Sequence, residues 1–153
     1  MKLWMALFAG LIIGSGSFGQ SEKARREAYN IKRGIAIEGY DPVSYFTGKP
    51  IEGSDQFSYT HSGITYLFAN SANLTTFKSS PQKYEPAYGG WCAYAMGDSG
   101  EKVKIDPETY KILDGRLYLF YNFWGNNTLK SWDRNEAALK AAGDRNWDKI
   151  LGK

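Results

Sequence analysis

Apolar residues along this chain come in one early block and then in short periodic runs. The block covers residues 3–13, follows the single charge of Lys2, and gives way to small residues, with Ser17 and Gly19 at the spacing a signal peptidase prefers. It is too short to span a bilayer, which takes about 20 apolar residues, and Gly10, Gly14, Gly16 and Gly19 interrupt any long helix. The pattern predicts a signal peptide over residues 1–19 and a mature chain starting at Gln20. It further predicts export to the periplasm or the extracellular space, with no membrane span once the signal is removed.

Residues 20–34 are charged and lack a sustained period, which predicts a flexible linker, while residues 35–152 carry the patterned part and suffice for one domain. Gly39 and Asp41-Pro42 mark a turn, and Val43 to Phe46 is a short run suited to burial. Residues 57–69 read as a hairpin about Ser62-Gly63, whose second strand puts Ile64, Tyr66 and Phe68 on one face and Thr65 and Leu67 on the other. Residues 70–84 read as a helix capped by Asn70 or Ser71 and stopped or restarted by Pro81. The pair Gly89-Gly90 leads into a helix ending near Gly97. Two apolar strands about Asp114-Gly115, a type I′ turn pair, give the strongest local signal. From Phe123 onward, Leu129, Trp132, Ala138, Leu139 and Ala142 form a helical stripe, broken by Gly143 and Asp144 into two or three pieces. With no βαβ rhythm, the expectation is an α+β domain: a small antiparallel sheet built from hairpins, packed with several short helices.

Charge narrows the function classes. There are 19 Lys and Arg against 16 Asp and Glu, and only Lys2 lies in the signal segment, so signs stay mixed and there is no electrostatic footprint for nucleic acid. The aromatic content points the other way, toward something specific: 11 Tyr, 8 Phe and 5 Trp imply either a core of polar-tipped rings or a ligand groove walled by them. His61 is the only histidine, which excludes a three-histidine zinc site and a two-histidine iron site in one chain. No orienting partner for His61 and no phosphate-cradling glycine motif can be identified, so the chain reads as noncatalytic.

Cys92 is the only cysteine, so no internal disulfide can form. In a helix beginning near Gly90 its thiol would lie in the first turn, where free N–H groups and the dipole favour a thiolate. Met96 follows on the same face. Cys92 and Met96, completed by His61 or a carboxylate, make a soft donor set suited to Cu(I), and copper is the candidate cofactor. Two other readings stand beside this one. Cys92 can be a buried structural residue with Met96 as core filler, or a thiol sensor that is oxidised or pairs with another chain.

The blocks GYDPVSYFTGKP, FSYTHSGITYLFANSANLTTFKSSPQKYEPAYGGWCAYAM and ILDGRLYLFY together resemble the exported YHS domain proteins, over most of residues 35–150. The resemblance implies a hairpin followed by a helix, with elements added in the exported branch, and kinship with small metal-binding modules. Metal-binding relatives carry one cysteine after the Asp-Pro-Val turn and two more in the segment that opens the helix. Those positions are Ser44, Ala69 and Asn73 here, so that thiolate site is absent, whereas the block around Cys92 looks typical of the exported branch. The leading expectation is a noncatalytic soft-metal module using Cys92. The alternative is a small-ligand or protein-binding module with a structural cysteine and an aromatic groove of Tyr40, Tyr45, Tyr88 and Trp91 beside Asp41.

Overall fold

The computed structural model describes residues 16–153, with side chains from residue 21 onward, so most of the expected signal segment lies outside the described residues. The α+β expectation holds. Four hairpins punctuate the described residues: β1 (Ile31–Lys32) with β2 (Ile35–Ala36), β3 (Ser54–His61) with β4 (Ile64–Phe68), β5 (Asp106–Leu113) with β6 (Arg116–Phe120), and β7 (Asn122–Phe123) with β8 (Asn126–Asn127). Each turns on two residues with positive φ, a non-glycine and then a glycine: Arg33-Gly34, Ser62-Gly63, Asp114-Gly115 and Trp124-Gly125. This is the type I′ arrangement, whose twist matches that of the flanking strands. The first two hairpins join into one sheet of order β1-β2-β4-β3, antiparallel except for a single parallel pairing of Ile35 with Thr65.

Two of the four turns fall where sequence pattern predicts something else. Residues 20–34 are not a linker. They hold most of α1 (Gly16–Ala28) and the first strand and turn of the first hairpin, and α1 is fixed by guanidinium groups rather than by an apolar stripe. Arg25 Nε and Arg26 Nη1 donate to the turn carbonyls of Ser62 and Gly63 at 3.1 and 2.8 Å, and Arg25 Nη2 reaches Glu85 at 2.7 Å. Phe123 likewise does not begin a helix but sits in the β7–β8 hairpin, with α5 (Thr128–Asp133) starting after it. Strands of two residues carry no periodic signal, and neither Arg nor Trp advertises positive φ.

The remaining helices follow their capping chemistry. Asn70 caps α2 (Ser71–Ser79) by accepting from Asn73 N–H at 2.8 Å, and Pro81 opens α3 (Pro81–Tyr84) at the position where its missing N–H costs nothing. The short α4 (Ala93–Asp98) crosses α6 (Glu136–Ile150), which runs through Gly143 and Asp144 without the expected break. Gly143 marks a close approach instead: a methyl group there would lie 2.7 Å from Tyr88 Oη. Among the described residues no helix is long and apolar enough to cross a membrane.

Side chains divide between two cores on either face of β6. Ile64, Tyr66 and Phe68, the predicted inner face of β4, join Tyr45, Phe77, Leu117 and Leu119 in one. Tyr118 and Phe120 point oppositely into the other, with Trp132, Met96, Leu139 and Trp147. Since Gly115 has φ of 74° and open space around its Cβ direction, any penalty for a side chain there is conformational. Gly115→Val should cost about 1 kcal/mol or more, measured as a lowered urea midpoint, and an unchanged midpoint would contradict the turn assignment.

Candidate functional site

Helix α4 begins one residue after Cys92, so the thiol is not in its first turn. Cys92 is the residue that precedes the helix, and it is fully buried. Its sulfur accepts from Tyr121 N–H at 3.4 Å and lies 3.4 Å from Thr128 Oγ1. That hydroxyl donates its own proton to Tyr121 O at 2.8 Å, so the Cys92–Thr128 bond has the thiol as donor. Donor and acceptor capacity are both used within the protein. The backbone is pinned too, by Cys92 N–H to Val103 O at 2.9 Å and a bridge to Leu119.

The other expected soft ligands lie in different settings. Met96 is one turn further on, buried in the second core. His61 ends β3, its Nε2 3.4 Å from Glu85 Oε1 and its ring edge-on to Phe77. Among the described residues no three His, Cys, Asp or Glu side chains gather as a metal centre requires. Cys92 takes the place of a small core residue.

The three positions where the YHS resemblance puts thiolates do converge, but on a carboxylate. Asp41 is fully buried. Its Oδ1 accepts from Val43 N–H at 2.8 Å and Ser44 N–H at 3.4 Å, and its Oδ2 from Ala69 N–H at 2.9 Å and Asn73 Nδ2 at 2.6 Å. Ser44 Oγ donates to Asp41 O at 2.7 Å and accepts from Ile51 N–H at 3.0 Å. A pocket of N–H donors suits an anion, and the chain supplies its own. These residues do not fit a thiolate-bound metal.

The expected aromatic groove is likewise dispersed. Tyr45 is buried in the first core, its hydroxyl donating to Pro107 O at 2.6 Å, and burial raises its pKa far above the usual phenol value. Trp91 Nε1 latches onto Ala28 O at 2.8 Å, and Tyr40 bridges to Glu52. Tyr88 belongs to the second core, where its hydroxyl donates to Asp144 Oδ1 at 3.0 Å.

Of the four rings, Tyr88 reaches a large cavity. It shares a 480 Å³ space with Arg25 and Tyr29 of the N-terminal segment, Arg116 at the start of β6, and Asp144, Trp147 and Asp148 of α6. Sequence reasoning missed these partners because three separate segments contribute them, each at a position that is unremarkable within its own element. The local backbone is unusual. Tyr88, Gly89 and Gly90 are all left-handed, with φ of 54°, 61° and 85°. A methyl group on Gly89 would lie 2.6 Å from Trp147 Cη2, so the glycine seats the indole. A bulky residue at positive φ costs about 1–2 kcal/mol, and such strain gathers at functional sites.

Charges around the cavity are unevenly matched. Arg25 is committed to Glu85, which also accepts from Tyr66 Oη at 2.8 Å. Burial works against the Arg25 charge, yet Glu85 and Tyr29 outweigh it and hold the guanidinium pKa above its ordinary value. Asp144 is committed to Tyr88 and to Lys140 at 2.8 Å. Arg116 and Asp148 enter no ion pair among the described residues. With Lys153 also on its wall, the cavity presents a guanidinium, an ammonium and a carboxylate beside aromatic rings.

Comparison with known proteins adds no relative: no family model, no curated protein and no solved structure matches the chain.

Two measurements check these assignments. Iodoacetamide should leave native Cys92 unmodified over hours and label it quantitatively in denaturant, whereas rapid native labelling would contradict its burial. Asp41→Asn puts an amide among four N–H donors and should cost about 3 kcal/mol in urea unfolding, and a loss below about 1 kcal/mol would show that the carboxylate is not what holds this loop.

Proposed function

We propose that the chain is an exported, noncatalytic binding module whose site is the 480 Å³ cavity, and whose ligand is a small molecule with an anionic group for Arg116 and an apolar ring or chain against Trp147 and Tyr29. The observation that carries this reading is the convergence in one concave space of an uncommitted guanidinium, aromatic walls and a strained backbone turn. Arg offers a planar fork matched to carboxylate or phosphate. All the cavity residues follow the expected cleavage point, so signal removal leaves the site whole. Cys92 is structural in this reading.

Benzoate and L-phenylalanine are suitable probes, with Trp147 fluorescence as the readout. Saturable quenching by at least one of them is expected, with Arg116→Gln weakening it about tenfold or more. No saturable response, or one indifferent to Arg116→Gln, would overturn the reading. A soft-metal function makes a different prediction: uptake of Cu(I) against a chelator that is lost in Cys92→Ser while the fold persists.

A further inference from the structure

The second turn missed by sequence pattern carries an unusual residue. Trp124 is 87% exposed, against 44% for Ile51, the other exposed large hydrophobic among the described residues. It occupies the first position of its type I′ turn with φ of 50°, where the three other hairpins have Arg33, Ser62 and Asp114. Asn, Asp or Gly would suit that position, and bulky residues are outliers there. The indole thus combines backbone strain with almost complete exposure, and its ring contributes little to the core.

The surroundings of the tip give it a chemistry. Tyr121 and Phe123 stack edge to face at 5.0 Å, and Phe123 and Trp124 lie 6.1 Å apart, forming a short aromatic row. Lys104 Nζ sits 4.6 Å from the Phe123 ring centre and 5.2 Å from that of Trp124. From Arg116 to Trp132 the chain has no acidic residue, and the exposed Lys130 adds a second cation on α5. The base of the hairpin is held firmly: Asn122 Nδ2 donates to Thr109 Oγ1 at 3.0 Å, and Thr128 N–H to Tyr121 O at 2.9 Å.

We infer that this hairpin tip is a peripheral anchor for an anionic lipid bilayer, with Trp124 and Phe123 entering the headgroup region and Lys104 pairing with lipid phosphates. A convex tip of two rings is far too small for a stable protein interface, which needs about 800 Å² per partner. A bilayer surface requires no shape match. Tryptophan partitions to that interface, and basic side chains beside it add attraction to anionic lipid. The site is separate from the cavity and stands or falls independently of the ligand proposed there.

The test uses the full chain and vesicles of phosphatidylcholine alone or mixed equally with phosphatidylglycerol. Trp124→Asn provides the comparison, because Asn accepts positive φ and keeps the turn, while any membrane affinity of residues 1–19 is common to both proteins. The difference emission between wild type and Trp124→Asn should shift to the blue and be quenched by brominated lipid on anionic vesicles. Cosedimentation with them should fall about tenfold in Trp124→Asn and about fivefold in Lys104→Glu. Equal cosedimentation of wild type and Trp124→Asn would overturn the proposal, as would a difference emission indifferent to brominated lipid. Binding to soluble dextran sulfate that matches binding to vesicles would also overturn it, by showing a purely ionic surface.

Discussion

Burial of β6 on both faces is the constraint on which the rest of this molecule depends. Leu117 and Leu119 point one way, Tyr118 and Phe120 the other, and all four are fully buried. Leu117, Leu119 and Phe120 each contribute about 2 kcal/mol through burial, more than an exposed ion pair such as Lys23 with Glu27 can supply, whereas Tyr118 buries a hydroxyl that has no hydrogen-bond partner among the described residues. A strand with no exposed face needs cover on both sides and along both edges. Its partner β5 protects one edge. The other is met by the irregular segment from Pro86 to Cys92, whose backbone bridges β6 at Leu117 and Leu119 and whose Tyr88 packs edge-on against Tyr118. Six steps along that segment span two along the strand, so the excess chain must bulge away. The left-handed run Tyr88-Gly89-Gly90 is that bulge. The cavity between it, Arg116 and α6 follows from how the edge of β6 is closed.

The same strand fixes what Cys92 can be. Bridging to Leu119 puts the residue beside a buried edge, and α5 covers it when Thr128 brings its hydroxyl to the sulfur. The free thiol in this setting is fully buried. The glycine pair and the following helix were legible in the sequence, but the helix starts at Ala93, after the cysteine rather than before it. A boundary shifted by a few residues moved the thiol from an electrostatically favoured first turn into the core.

What was legible elsewhere followed the same rule. Period-two alternation over β4 and the Asp114-Gly115 turn read correctly, because burial on one face and the need for positive φ both leave marks in local sequence. The docking of α1 did not, because Arg25 and Arg26 hold it through carbonyls and a carboxylate up to 60 residues away. Nor did the continuity of α6 across Gly143, since the reason for that glycine is the Tyr88 phenol from another element. Polar latches and close approaches between distant segments are invisible to any window moved along the chain.

The Asp41 clasp bears on function from the opposite direction. Four N–H groups aimed at one point make a place of positive potential, where a cation meets the wrong ends of the dipoles and a carboxylate the right ones. Around Ser44, Ala69 and Asn73 the geometry favours an internal anion that staples the residue 41–51 loop to the end of β4 and the start of α2. Charge is left unmatched elsewhere: among the described residues Arg116 enters no ion pair and lines the cavity at the bulged edge of β6.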